Sequence, residues 1–111
     1  MVKKNDLEKI VLQFVDILAG EGVVAESVFL YGSQATGRAV ADSDVDLVVI
    51  SQDLDRFDPI ERLEFLSRMA WKIDAPLEVL GYTPDEIYGQ EGRSIFWDEI
   101  RSTGYEIYRA A

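Results

Sequence analysis

The residues of this chain that can do chemistry are carboxylates, hydroxyls and amides. Asp44 and Asp46 stand two apart at the start of an apolar run, residues 45–50, and Glu78 sits inside a second run, Leu77-Glu78-Val79-Leu80. Side chains alternate along a strand, so Asp44 and Asp46 are expected on one face, a few ångströms apart. Carboxylates that close repel, and one is driven toward protonation unless a cation neutralises the pair. Mg²⁺ meets that need, because it prefers carboxylate and phosphate oxygens. An acid within a core strand is costly unless paired or metal-bound, so Glu78 reads as a third member of the set. A plainer reading of the same residues stays open: Asp44 as a turn residue after Ser43, Asp46 as a charge on an edge strand, and Glu78 on a solvent-facing side.

Gly32-Ser33 follows an apolar run, 28–31, directly. A glycine there lets a phosphate approach the backbone, and Ser33 can donate its hydroxyl. A helical turn starting at Ser33 would also aim N–H groups at the anion. The pair equally fits an ordinary strand-to-turn junction. Neither of the longer phosphate-loop patterns, G-x-x-x-x-G-K or G-x-G-x-x-G, is present.

Composition narrows the chemistry further. The 111 residues contain no cysteine and no histidine. Thiolate nucleophiles, disulfides and iron–sulfur ligation are excluded, as are a Ser-His-Asp triad and a histidine base, and a zinc centre is not expected. At 48% hydrophobic and 29% charged, the chain reads as one soluble globular domain, 1–111. Eleven Lys+Arg against 21 Asp+Glu give a net charge of -10. That opposes sequence-independent binding to nucleic acid and suits a basic protein partner, divalent cations or plain solubility. Asp6 and Glu8 interrupt the N-terminal lysines, so no signal peptide is expected. No apolar stretch reaches the roughly 20 residues of a membrane span, and the default expectation is cytoplasmic.

The elements that must position these residues follow from periodicity. Leu7, Ile10, Val11, Phe14, Ile17 and Leu18 recur at helical spacing, predicting a helix over 6–19 capped by Asn5 or Asp6 and stopped by Gly20 and Gly22. Strands are predicted at 28–31, 45–50 and 77–82, with a turn and a weak helical turn over 32–43. Residues 51–58 read as a loop. Pro59 suits the first turn of a helix to 73 that buries Leu63, Leu66, Met69 or Ala70, Ile73 and Trp71. Thr83-Pro84-Asp85-Glu86 opens a short helix, Gly89 to Gly92 reads as a loop, and a helix over 94–102 is followed by a last strand at 105–108. Tyr88, Phe96, Trp97, Tyr105 and Tyr108 read mainly as core, with an interface as the alternative. The order predicts a small α/β fold with helices packed on a sheet.

The run GSQATGRAVADSDVDLVV resembles the signature of the DNA polymerase beta-type nucleotidyltransferase superfamily, and within it the minimal, MNT-type proteins of bacteria and archaea. PLEVLGYTPDEI and the closing GYEIYR extend the resemblance over most of the chain. It implies a small polymerase-beta-like fold, a mixed sheet packed with helices. It also implies that Asp44 and Asp46 hold two Mg²⁺, with Mn²⁺ as a substitute, against the phosphates of ATP or another nucleoside triphosphate. Glu78 would complete one metal site and help take the proton from the attacking hydroxyl, while Gly32 and Ser33 would hold the terminal phosphates. Many relatives carry basic residues where this chain has Gln34 and Thr36, and Arg38 is the available substitute. Minimal members often act with a helical HEPN partner in pairs resembling toxin–antitoxin systems, moving AMP to a tyrosine of the toxin. The resemblance therefore implies a transferase antitoxin. An antitoxin that only docks, and transfer to a small hydroxylated molecule, are the alternatives.

Overall fold

A computed structural model describes residues 4–38, 44–88 and 95–111. Four strands, β1 (Ser27–Tyr31), β2 (Val45–Ile50), β3 (Leu77–Tyr82) and β4 (Tyr105–Arg109), form one mixed sheet in the order β3-β2-β1-β4. β1 runs antiparallel to both β2 and β4, and β3 runs parallel to β2. The parallel pair needs a crossover, which α3 (Pro59–Ala70) supplies. The remaining helices are α1 (Lys4–Gly20), α2 (Ser33–Thr36), α4 (Pro84–Tyr88) and α5 (Ile95–Thr103). Among the described residues no helix is long and apolar enough to cross a membrane.

One sheet face is covered by α1 and α3. Leu7, Val11, Phe14 and Leu18 of α1 are buried with Phe65, Leu66 and Met69 of α3 against Val28, Leu30, Leu47 and Val49. Trp97 and Ile100 of α5 and Ile87 of α4 cover part of the other face, over Val48 and Ile50, and Trp97 stands edge-on to Phe29 at 5.1 Å. β2 thus lies inside the sheet with both faces covered along most of its length, which is why it reads as an unbroken apolar run after its aspartates.

Local chemistry explains where the helices begin and end. After α1, Gly22 takes φ 82°, and the N–H groups of Gly22 and Val23 donate to Ala19 O and Leu18 O, a left-handed C-terminal cap. The helix already includes Asn5 and Asp6, so neither is its cap. Asp58 accepts from Glu61 N–H and Glu61 accepts from Asp58 N–H, a capping box ahead of Pro59.

α3 ends at Ala70, three residues before the predicted 73, because Lys72 and Ile73 N–H donate to carbonyls three residues back and tighten the chain out of the helix. Ile73 is still buried. Trp71, expected in the core, is 88% exposed, and Leu63 is 51% exposed, because Phe65, Leu66, Met69 and Ala70 form the face turned to the sheet. Part of the predicted 51–58 loop is a 3₁₀ turn, Gln52–Arg56, capped by Ser51 and anchored by buried Leu54. Leu54 and Leu66 crowd Gly81, where a Cβ would stand 2.7 and 2.6 Å from their methyls. Of the aromatic residues near the C-terminus, Trp97 is core, Tyr108 packs against the core, and Tyr88 and Tyr105 are exposed. The side chain of Phe96, residues 39–43, the 89–92 loop and Ser94 lie outside the described residues.

Candidate functional site

Register builds the site. Tyr31 pairs with Asp46 and Asp46 pairs with Glu78, so the three residues form one row across β1, β2 and β3 on a single face of the sheet. β2 is flanked on both sides, so Asp46 is not an edge-strand charge. β3 is the edge, and Glu78 is exposed there rather than buried among apolar neighbours. The plainer reading was right that Glu78 is solvent-exposed, but the exposed side is the side that faces Asp46. Asp44 lies one residue ahead of β2 and is exposed, close enough for its charge to act on Asp46.

The electrostatics of the row are uncompensated. Burial, the charge of Glu78, a side-chain hydrogen bond to Glu78 and the charge of Asp44 together push the Asp46 carboxyl from 3.8 up to about 6. That hydrogen bond means a proton on Asp46 is donated to the Glu78 carboxylate. Burial and the charges of Asp46 and Glu78 also push the Tyr31 phenol up to about 12. Tyr31 was not anticipated as part of the site. Its signal was strand parity, since it ends β1 one residue before Gly32.

Gly32 and Ser33 open α2 next to Asp46. Gly32 takes φ 75°, and a Cβ there would run into Asp46 Oδ2. Only glycine combines that left-handed backbone with room for the carboxylate. Gly37, at φ 76°, ends α2 and donates its N–H to Ser33 O. Gln34 is buried, and Thr36 donates its hydroxyl to Gly32 O and Ser33 O at 3.3 and 3.4 Å. The Thr36 hydroxyl is therefore tied to the backbone of the α2 turn. Arg38 is exposed just past the turn, with its N–H on Ser33 O.

Among the described residues no three acidic side chains already stand as a ligand set for a metal ion. The donor chemistry nevertheless suits a hard divalent cation. All three groups are carboxylates, and the central one is raised by burial first and then by the negative charge of the other two. A divalent cation would take the place of the proton between Asp46 and Glu78.

The family described as Polymerase beta, Nucleotidyltransferase matches residues 5–109. No curated protein matches the chain. Among solved structures, a nucleotidyltransferase candidate from Sulfolobus solfataricus superposes with a TM-score of 0.64 at 17% identity, over 96% of this chain and 83% of that one. A toxin–antitoxin with AMP-PNP superposes with a TM-score of 0.62 at 18% identity, over 93% and 73%. A mutant of the toxin–antitoxin MntA–HpeT superposes with a TM-score of 0.56 at 15% identity, over 98% and 75%.

Proposed function

The chain belongs to the polymerase-beta nucleotidyltransferase family, and on that premise we propose that it moves a nucleoside monophosphate, AMP from ATP, to a hydroxyl of a protein partner. The observation that carries this reading is the row of Asp46 and Glu78, an unneutralised carboxylate pair with the left-handed Gly32 turn packed directly against Asp46. The acceptor we favour is a tyrosine of a HEPN-type toxin, with this chain as its antitoxin. The fold shared with two toxin–antitoxin structures, one of them with AMP-PNP, supports that choice.

Asp44, Asp46 and Glu78 would hold the Mg²⁺ ions, which supply charge neutralisation at the phosphates and a more acidic acceptor hydroxyl. Gly32 and Ser33 would hold the donor's terminal phosphates, the Ser33 hydroxyl donating a hydrogen bond to them. The acceptor O–H gives its proton to the Glu78 carboxylate, which is exposed at the sheet edge and reachable. The acceptor oxygen bonds to the α-phosphorus as the bond from that phosphorus to its bridging oxygen breaks. Pyrophosphate leaves with that electron pair, and the product carries one AMP ester. Asp46 must be ionised throughout, which its value of about 6 allows at neutral pH.

The test is incubation with ATP, Mg²⁺ and an all-helical HEPN-type partner, followed by intact mass of the partner. One AMP per modified hydroxyl is expected, and Asp46→Ala should slow the transfer about 10³-fold or more, roughly 4 kcal/mol of barrier. A docking-only antitoxin is the second reading. It is favoured by the absence of basic side chains at Gln34 and Thr36, the first of them buried, and by the net charge of -10. It predicts an unmodified partner that wild type and Asp46→Ala inhibit equally, and that result would remove the transferase reading.

A further inference from the structure

β3 is an edge strand with a short stretch of open backbone. Val45 N–H donates to Pro76 O and Ser51 N–H donates to Tyr82 O. The backbone groups of residues 76, 78, 80 and 82 therefore face β2, and those of Leu77, Val79 and Gly81 face outward. The two ends of this outer edge are engaged within the chain. Leu77 N–H donates to Ala75 O at 2.9 Å, and Gly81 O accepts from Arg62 Nη1 at 3.2 Å. Between them, Leu77 O, both groups of Val79 and Gly81 N–H have no partner among the described residues. An unpaired edge is a template for another strand.

Beside this edge runs a groove of about 1070 Å³ that reaches from α3 to Tyr31 and Glu78. Its helical wall carries Leu63 and Trp71, 51% and 88% exposed, and Ile60, 71% exposed, continues the same stripe of α3. An indole that exposed on the single chain is the residue type that anchors interfaces. Asp74 and Glu78 line the groove against a single lysine, Lys72, and the chain as a whole carries -10. The site also has a direction. Gly32-Ser33 stands at the β1 end of the carboxylate row and Glu78 at the β3 end, so phosphates held at the first leave the second as the approach for an acceptor.

We propose that this groove docks the acceptor polypeptide as an extended, basic segment that adds to the open edge of β3, packs an apolar side chain on Trp71 and delivers its hydroxyl to Glu78. The acceptor role rests on the transferase reading above; the docking does not. Main-chain hydrogen bonds to Val79 would give affinity, and the pockets for alternate side chains would give selectivity.

The probe is a synthetic nonapeptide of alternating valine and lysine with a central tyrosine, added to the full chain without nucleotide or metal. Calorimetry should show binding, and hydrogen exchange should slow at the amides of Val79 and Gly81. The same peptide N-methylated at alternate amides keeps its charge but cannot pair as a strand, and should bind at least about tenfold more weakly. Trp71→Ala, at an exposed position, should fold normally and also lose about tenfold. Equal affinity for the methylated peptide, equal affinity of Trp71→Ala, or protection elsewhere in the sheet would overturn the proposal. So would sedimentation showing that the free chain dimerises and that Trp71→Ala disperses the dimer, since a second copy would then own the groove. Pyrophosphate release from ATP with a small alcohol acceptor tests the transferase chemistry separately, so failure of docking and failure of that chemistry are distinguishable.

Discussion

The two ends of β3 handle a carboxylate in opposite ways. Just past its C-terminal end, Glu86 accepts from Arg62 Nη1 at 2.6 Å and from Thr83 N–H at 2.8 Å, while its own N–H donates to the Thr83 hydroxyl at 3.3 Å. Burial alone would raise the Glu86 carboxyl, but the hydrogen bonds from Arg62 and Thr83 and the guanidinium charge win and hold it below its ordinary 4.5. Near the N-terminal end, Asp46 and Glu78 face each other with Asp44 nearby, and Asp46 rises to about 6. The first end is a closed ion pair that seats α4 and ties α3 to the sheet, with the buried Arg62 Nε left without a partner among the described residues. The second carries negative charge that the described residues leave unneutralised, as a site awaiting a cationic ligand would.

The largest expected effect on stability lies at the Arg62–Glu86 end. Arg62→Met keeps the aliphatic length but strips Glu86 and Gly81 O of their donor. Urea unfolding should show a loss of about 2–3 kcal/mol, the range for a part-buried charged hydrogen bond whose partners are left short. The sign with pH follows from Glu86. Its folded carboxyl titrates below 4.5, so its stabilisation is present above that value and is lost as pH falls through the folded value. The parent should lose stability in that acid range, and Arg62→Met should lose less. A variant as stable as the parent would mean that the ion pair is ornamental and would break the comparison at its firm end.

Much of this contrast was legible in the sequence, for reasons that differ along the chain. Asp44, Asp46 and Glu78 could be grouped because strand parity is local and the apolar residues around them mark 45–50 and 77–82 as strands. Gly32 was legible as permissive backbone, but its specific need, the Asp46 carboxylate against its Cα, depends on two strands meeting. Thr83-Pro84-Asp85-Glu86 announced a helix start, whereas the Arg62 partner, 24 residues back in chain order, is a tertiary contact without a local pattern. Trp71 was misread because a tryptophan at the end of an amphipathic helix fits the core by composition. Its backbone is still helical and its N–H donates to Ser67 O, so it falls on the outer stripe with Ile60 and Leu63 rather than on the sheet-facing side. Glu78 on an open edge was invisible too, since strand order is not written in strand content.

The intermediate effect belongs to the unfinished end. Millimolar Mg²⁺ or Mn²⁺ should raise the melting temperature, by the equivalent of about 1.4 kcal/mol at a tenfold excess over the dissociation constant. Asp44→Asn combined with Asp46→Asn should abolish the gain. The gain should also fade below pH 6, because protons and cations compete for Asp46. A parent whose melting ignores metal would show that the row does not bind it in the free chain.

The smallest effect is the sharpest test of the contrast. Asn at position 46 copies the protonated aspartate, with a side-chain amide that can donate to Glu78. In metal-free buffer the folded Asp46 carboxyl binds its proton more tightly than the unfolded one, at about 6 against 3.8. Its contribution is therefore fully present below 3.8 and is lost as pH rises through about 6. Between those values the parent should lose stability relative to Asp46→Asn, and by neutral pH the variant should be the more stable of the two. The gap should stay under about 1 kcal/mol, because Asp46 is partly exposed and water screens its neighbours. Added Mg²⁺ should reverse the order, since the asparagine gives up a charged ligand. Paired urea titrations at pH 5 and pH 7.5, with chelator and with Mg²⁺, read all four corners. A variant less stable than the parent at neutral pH without metal would mean that the Asp46 charge is already neutralised within the fold, and the two ends of β3 would then be alike.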